Sequence, residues 1–309
     1  MKEQIYRELN LANYPDIALG SIHEYTDWPD RLILSEDKNT NRNISTTLTE
    51  YDKRKWSTVL DLVNGSILEA HDSVTDFLFS LNSEFVSKTN ANVSTLISYD
   101  NCKIKDVLSF ENREKCEIAL KLMILKQFIG SSETLVELGS GYGKNIFYML
   151  DKLPSFRKGI CGDLSPRGIE VSKIIADAFG FDVQCYRHDH YDPNNDLMAS
   201  CNNSLVFTSQ AIEQLPITPE NLLNQLIKST PSLVVHFEPI YEHKFIQQDV
   251  LNILRIKYTK LCDYNRDLET ILIRYQSRGQ IEIVMNEPNI FGNNIFNPLS
   301  VIAWRPTPR

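Results

Sequence analysis

The 309-residue chain lacks several patterns that would point to a function. Its six cysteines, Cys102, Cys116, Cys161, Cys185, Cys201 and Cys262, include no C-x-x-C pair. That argues against a zinc site or a disulfide framework and leaves them as buried, reduced thiols. Basic clusters are missing too: 32 Lys and Arg face 40 Asp and Glu, for a formal charge of −8. Nucleic acid and anionic membranes are therefore not expected partners, although tRNA and rRNA are disfavoured rather than excluded. No stretch approaches the length of a membrane span, and Met1-Lys2-Glu3-Gln4 carries no apolar signal core, so a cytoplasmic protein is expected. There is no internal repeat and no low-complexity tract. What is present is ordinary for a globular protein, with 42% hydrophobic and 23% charged residues. The length allows one large domain, or one domain with an appendage.

Glycine is scarce as well, yet three of the 12 glycines fall within five positions, in Val136-Glu137-Leu138-Gly139-Ser140-Gly141-Tyr142-Gly143-Lys144-Asn145. Leu135 to Leu138 reads as a buried strand, Gly139, Gly141 and Gly143 as a tight turn, and Ile146 to Leu150 as the start of a helix. Glycines permit positive φ and close backbone approach, and a helix start offers free NH groups, so this is a nucleotide-binding elbow. A dinucleotide fingerprint wants G-x-G-x-x-G, whereas here the spacing is G-x-G-x-G with an acid two residues before it. The bland alternative is a turn that merely joins strand to helix.

This segment resembles motif I of the class I, Rossmann-like S-adenosylmethionine-dependent methyltransferases. Their cofactor has no pyrophosphate to cradle, and its ammonium group suits a nearby carboxylate such as Glu137. Asp163 lies twenty residues past Gly143 at the end of the next strand, where an acid can accept both ribose hydroxyls of a nucleoside. The resemblance carries an adenine-binding role onto Asp189, after the third strand. Ser209-Gln210-Ala211-Ile212-Glu213-Gln214-Leu215-Pro216 is similar to the family's S-x-V-L-E-H-V-P type of segment, with Gln214 in place of the usual His. The implied cofactor-binding set is Glu137, Gly139, Ser140, Gly141, Gly143, Asp163, Leu164, Asp189, Ser209 and Gln210.

The rest of the chain fits an α/β reading. Residues 1 to 50 are irregular, with a polar stretch from Ser35 to Thr49. Trp56, Val59, Leu60, Val63 and Ile67 recur at helical spacing, and Val74, Phe77, Leu78, Leu81 and Phe85 repeat it. A variable stretch from Ser87 to Ser109 leads to a third helix over Arg113 to Ile129, with Asn112 as its cap. Strands follow at Gly159–Asp163, Phe181–Tyr186, Ser204–Thr208 and Ser232–Phe237, alternating with helices at Pro166–Phe179 and Pro219–Ser229. Alternation means a parallel sheet whose ligands gather at the strands' carboxyl ends. After further helices at Phe245–Tyr258 and Asp267–Tyr275, Gln280–Met285 and Leu299–Trp304 read as an antiparallel edge pair. The expected fold is a Rossmann-like, seven-stranded, mostly parallel sheet with helices on both faces. Residues 1 to 110 form an N-terminal arm and helical lid, which could instead serve a homodimer, and 111 to 309 the methyltransferase domain.

His236 and Glu238 are two apart at the end of the fifth strand, so alternation turns them to one side. With His190, Gln210 and Glu213 they would make a polar floor under the transferred methyl group. His236, Glu238 and His190 are the catalytic candidates, with His236 as a base near neutral pH; the competing reading of His236 is a satisfied core histidine. The same His, Gln and carboxylate set could hold a divalent metal, but it forms no compact motif and no metal ligand is assigned. The expected activity is O- or C-methylation of a small-molecule or carrier-bound acceptor, with S-adenosylhomocysteine as cofactor product. The alternatives are metal-assisted transfer, a non-catalytic protein that keeps the fold as a scaffold, and an NAD-dependent oxidoreductase, which the glycine spacing disfavours.

Overall fold

The computed structural model describes residues 2–34, 41–65, 71–89, 94–247 and 249–307. Ile67 and part of the 35–49 and 87–109 stretches lie outside them. The N-terminal third holds helices α1 (Lys2–Glu8), α2 (Trp28–Leu34), α3 (Ile44–Glu50), α4 (Ser57–Val63) and α5 (Val74–Lys88). Residues 1 to 50 were expected as short helical pieces and loops, and the end of the polar stretch is one such helix because Asn43 and Thr46 cap each other. Asn43 Oδ1 accepts from the Thr46 amide at 3.0 Å, and Thr46 Oγ1 accepts from the Asn43 amide at 2.9 Å. Between α3 and α4 the chain widens into a π-helical turn over Tyr51–Trp56. Such turns are uncommon and recur at functional sites.

Strands β1 (Leu96–Tyr99) and β2 (Lys103–Asp106) form a hairpin ahead of α6 (Phe110–Gln127). Ser109, rather than Asn112, caps that helix by accepting from the Asn112 amide at 3.1 Å. Then come β3 (Thr134–Leu138), α7 (Lys144–Lys152), β4 (Lys158–Asp163), α8 (Pro166–Phe179), β5 (Val183–Arg187), α9 (Asn195–Ala199) and β6 (Leu205–Ser209). The chain ends with α10 (Glu220–Ser229), β7 (Leu233–Glu238), α11 (Val250–Leu261), α12 (Leu268–Ser277), β8 (Ile281–Gly292) and β9 (Leu299–Pro306). Ser165 and Pro166 start α8 where expected, whereas the one-turn α9 carries too few residues for a periodicity and went unpredicted.

One sheet holds the strands in the order β2-β1-β8-β9-β7-β6-β3-β4-β5. β5, β4, β3, β6 and β7 run parallel, and β9 and β8 close the far side antiparallel. From β3 onward this is the order of the Rossmann-like class I methyltransferase fold. Among the described residues the sheet has nine strands rather than the expected seven, because β1 pairs antiparallel with β8 through Ser98 and Tyr99 and so adds the hairpin to the edge. The short strands of this hairpin carry little alternation, which is why they read as variable loop.

Strand alternation splits the core into two layers. Leu135, Leu205, Phe207, Val235 and Phe237 pack with the helices from α4 to α8, while Val136, Ile160, Val206, Val234 and Trp304 pack with α9, α10 and α12. The chain reverses direction across the sheet between β3 and β6. The crevice at their carboxyl ends is where such a fold receives a ligand.

Candidate active site

The elbow between β3 and α7 is built from contacts that leave no room for side chains. Gly139 has φ +80°, and a Cβ there would lie 2.3 Å from the Ala211 Cβ on the loop after β6. Gly141 has φ +55°, and its added Cβ would meet Trp56 Cζ2 at 2.8 Å. The space above Gly141 was expected to be kept for a ligand, but it holds an aromatic side chain from the N-terminal segment. Gly143 is the N-cap of α7 and does not line the cavity described below.

Glu137 is fully buried and turned away from that cavity. Its Oε1 accepts from Asn145 Nδ2 at 2.7 Å and its Oε2 from the Ile146 amide at 3.2 Å, so it serves the first turn of α7. Burial pushes its carboxyl up to about 8, against the pull of these bonds. Asn145, which does line the cavity, stands between Glu137 and anything bound there.

Asp163 ends β4 at the cavity wall. One of its oxygens accepts from the Gly141 amide at 2.7 Å and the other from the Ser165 amide at 2.8 Å. Burial raises its carboxyl to about 6, while those two amides draw it down. Each oxygen keeps a lone pair for a further donor, as two adjacent hydroxyls would require.

Asp52, which sequence reasoning missed, completes this corner. It sits in the π-helical turn and accepts from Ser165 Oγ at 2.6 Å and the Arg167 amide at 3.0 Å, with the Arg167 guanidinium as its ion partner. Burial opposes its charge, but Ser165 and Arg167 hold its carboxyl below the usual range. A carboxylate at the first turn of α8 also complements the helix dipole. With Trp56 packed on Gly141 and set edge-on to Tyr142 at 5.1 Å, the N-terminal segment is docked onto both arms of the elbow.

The cavity they enclose measures about 970 Å³. Of the expected cofactor residues, Gly139, Ser140, Gly141, Asp163, Leu164, Asp189, Ser209 and Gln210 line it. His190 lines it as well, beside Gly139, and burial together with His188 and His236 keeps its ring neutral. Gln210 holds a left-handed backbone at φ 52°, with its amide tied to the Phe237 carbonyl at 3.0 Å. Strain of that kind persists where surrounding contacts enforce it and is common at binding sites. His190 Nε2, Ser209 Oγ and Gln214 Oε1 are buried in this wall with no hydrogen-bond partner among the described residues. A buried polar atom without a partner is one that a bound polar group or water would satisfy.

The two remaining catalytic candidates are not in that wall. His236 is sealed beneath it: Trp304 Nε1 donates to its Nε2 at 3.0 Å, and its Nδ1 meets Thr208 Oγ1 at 3.0 Å. An indole can only donate, so Nε2 is the acceptor and the ring proton sits on Nδ1. Burial takes the ring's pKa down to about 3, and no lone pair is left for a substrate proton. Glu238 is on the same side of β7, as alternation requires, but its carboxylate takes the amides of Ala211, Ile212 and Glu213 at 3.0, 3.2 and 3.1 Å. It shapes the loop after β6 from behind instead of reaching the cavity. The expected His, Gln and carboxylate cluster therefore comes together only in part, through His190, Gln210 and Glu213, and among the described residues no group of three His, Cys, Asp or Glu could hold a metal ion.

An adenosyl-type ligand fits what is there. The cavity holds a carboxylate with spare lone pairs at the end of β4, a second acid, Asp189, after β5, and the partnerless Nε2 of His190, whose ring lies beside Gly139. No helix among the described residues is long and apolar enough to cross a membrane.

No protein-family profile matches the chain, and no curated protein sequence does. Solved structures resemble it at low identity. The methyltransferase domain of bacterial CtHen1-C is 14% identical, with 63% of this chain and 100% of that one covered and a TM-score of 0.44. Geranyl diphosphate C-methyltransferase from Streptomyces coelicolor A3(2), in complex with Mg2+, geranyl diphosphate and S-adenosyl-L-homocysteine, is 10% identical over 66% and 86%, with a TM-score of 0.43. A mutant of MtNAS is 12% identical over 99% and 97%, with a TM-score of 0.47.

Proposed function

We propose that this protein is an S-adenosylmethionine-dependent methyltransferase acting on a small-molecule or carrier-bound acceptor. The observation that carries the reading is a single cavity in which the glycine elbow, Asp163 and Asp189 share walls with residues 42 to 56 of the N-terminal segment. Its volume of about 970 Å³ lies at the upper end of small-molecule sites, with room for a nucleoside and a second molecule.

When bound, the cofactor supplies an electrophilic methyl group on a sulfonium. Asp163 accepts from the ribose hydroxyls and Asp189 from the adenine amino group. Ser140, Leu164, Ser209 and Gln210 line the same space, while Glu137 acts one step back by fixing Asn145. His190, neutral and with a free Nε2, hydrogen-bonds whatever occupies the floor. The chain's main contribution to rate is then orientation: two reactants held face to face with water kept out. Residues 1 to about 95 close the acceptor side as a lid, anchored through Asp52 and Trp56. The hairpin that follows belongs with the sheet.

Calorimetry tests the reading. S-adenosylhomocysteine should bind in the micromolar range and NAD should give no heat. Micromolar NAD affinity with no response to S-adenosylhomocysteine would replace it with a dinucleotide-binding protein.

A further inference from the structure

Glu213 closes one wall of the cavity from the turn after β6. Its carboxylate is held by donors on both oxygens, Gln214 Nε2 to Oε1 at 2.6 Å and Asn297 Nδ2 to Oε2 at 2.6 Å. Asn297 is oriented in turn by Lys244, whose Nζ donates to its Oδ1 at 3.2 Å and also to Thr259 Oγ1. Four separate segments thus converge to fix one carboxylate at the cavity surface, and each of its oxygens retains a lone pair.

The charges around the cavity narrow what that carboxylate can meet. Arg42 pairs with Glu50 at 3.2 Å, Lys55 with the same Glu50 at 2.8 Å, and Lys144 with Glu114. All three lining cations are therefore paired, Arg42 and Lys55 sharing one carboxylate, while Asp163 and Asp189 add negative charge, as does Glu213 once ionised. An anionic acceptor would find no unpaired lining cation among the described residues and would face Glu213. A neutral amine already offers its lone pair and needs no base to start. A hydroxyl does need one, because its proton must leave as the new bond to carbon forms.

We propose that the acceptor is a neutral alcohol or phenol whose proton is taken by Glu213, an assignment that rests on the methyl-transfer reading above. The O–H bond breaks and its proton passes to the Glu213 carboxylate. The oxygen's electron pair forms the bond to the methyl carbon, and the sulfur–carbon bond breaks with its pair returning to sulfur. The products are a methyl ether and a neutral thioether. Leu48, Tyr51, Trp56, Leu215 and Ile217 supply the apolar walls for the body of such a molecule.

The electrostatics agree with the geometry. Burial, with Glu238 close by, pushes Glu213 up to about 8, while Asn297, Gln214 and the charge of Lys244 draw it down. Burial lowers Lys244 to about 7. Arg42 and Tyr51 face Glu213 from the N-terminal segment. Tyr258, Cys262 and Tyr264 face it from α11 and the turn beyond. A base with a pKa near the working pH is matched to this task.

Two readouts test the proposal. Infrared titration of the protein alone should show two protonated carboxyls, Glu137 and Glu213, that ionise near pH 8, and Glu213→Gln should remove one of them. Methyl transfer from labelled S-adenosylmethionine into a pool of phenols and alcohols should give labelled ether, at a rate rising with pH through the same range. Glu213→Gln should cut that rate by about a hundredfold to ten-thousandfold and remove the rising limb, with S-adenosylhomocysteine affinity and thermal unfolding near wild type. Lys244→Met should move the limb slightly to higher pH, because Lys244, lowered to about 7, keeps part of its charge as the limb begins and that charge favours the ionised carboxylate; a merely structural lysine would lower the rate without moving it. A Glu213 carboxyl already ionised at pH 6, an unmoved limb in Glu213→Gln, or label entering only a parallel pool of amines would each overturn the assignment. So would the absence of labelled ether from a protein that binds S-adenosylhomocysteine. Loss of S-adenosylhomocysteine binding by the wild type would instead overturn the methyltransferase reading itself.

Discussion

The glycine elbow and the N-terminal segment that lies on it meet at the same cavity but are specified in different ways. Elbow contacts are local: Gly141 reaches Asp163 across 22 positions and Glu137 reaches Asn145 across 8. The covering segment works at long range, with Asp52 bonded to Ser165 at a separation of 113 and the Arg42 side chain to the Cys262 carbonyl at 220. The elbow is stiffened by backbone geometry, while the cover is attached by a few polar side chains, by Trp56, and by the buried Val59, Leu62 and Val63 of the helix it runs into. A ligand site assembled this way has a rigid half that recognises and an attached half that encloses.

Breaking the rigid half should have the largest effect. Gly139→Val adds a β-branched side chain at φ +80°, with its Cβ 2.3 Å from the Ala211 Cβ. Backbone strain and overpacking together should cost roughly 3 kcal/mol or more, enough to lower the unfolding midpoint sharply and abolish ligand binding. A soluble variant with a wild-type midpoint would show that the β3 and β6 loops are not packed as described. Asp52→Ala should do less, because it removes attachment and leaves the elbow. Loss of its bonds to Ser165 and the Arg167 amide should cost about 1 to 3 kcal/mol in urea unfolding. S-adenosylhomocysteine affinity should fall only modestly, while limited proteolysis reaches residues 42 to 63. If instead affinity collapses as far as it does for Gly139→Val, the two halves are one unit and the contrast between them is false.

The same difference explains what could be read in advance. The elbow, Asp163, Ser165 with Pro166, and the alternation of strands and helices are local patterns, and the fold from β3 onward follows from them. Asp52 was invisible because its partners are two acts of folding away, and an acid in a polar run such as Tyr51-Asp52-Lys53-Arg54 reads as solvated surface. His236 and Glu238 were placed correctly on one side of β7. Alternation names a side, however, and cannot say whether that side opens on a cavity or on Trp304. Glu213 was grouped with them as floor, and it is the member of that set, with His190 and Gln210, that reaches the cavity. Its raised pKa comes from burial with Glu238 close by, and Asn297 and Lys244, which no spacing connects to it, moderate that rise.

The proposed role of Asp163, to hold a nucleoside at the elbow, is tested most directly by S-adenosylhomocysteine affinity measured against pH. Ionised Asp163 accepts from hydroxyls and the protonated form does so poorly. Because burial raises its carboxyl to about 6, affinity should be full above that pH and fall towards tenfold per unit below it. Asp163→Ala should bind about ten- to a hundredfold more weakly at pH 7.5, the loss of roughly 1.5 to 3 kcal/mol of charge-assisted hydrogen bonding, and should show no such decline. Wild-type affinity that stays flat from pH 8 to 5, matched by Asp163→Ala, would contradict it.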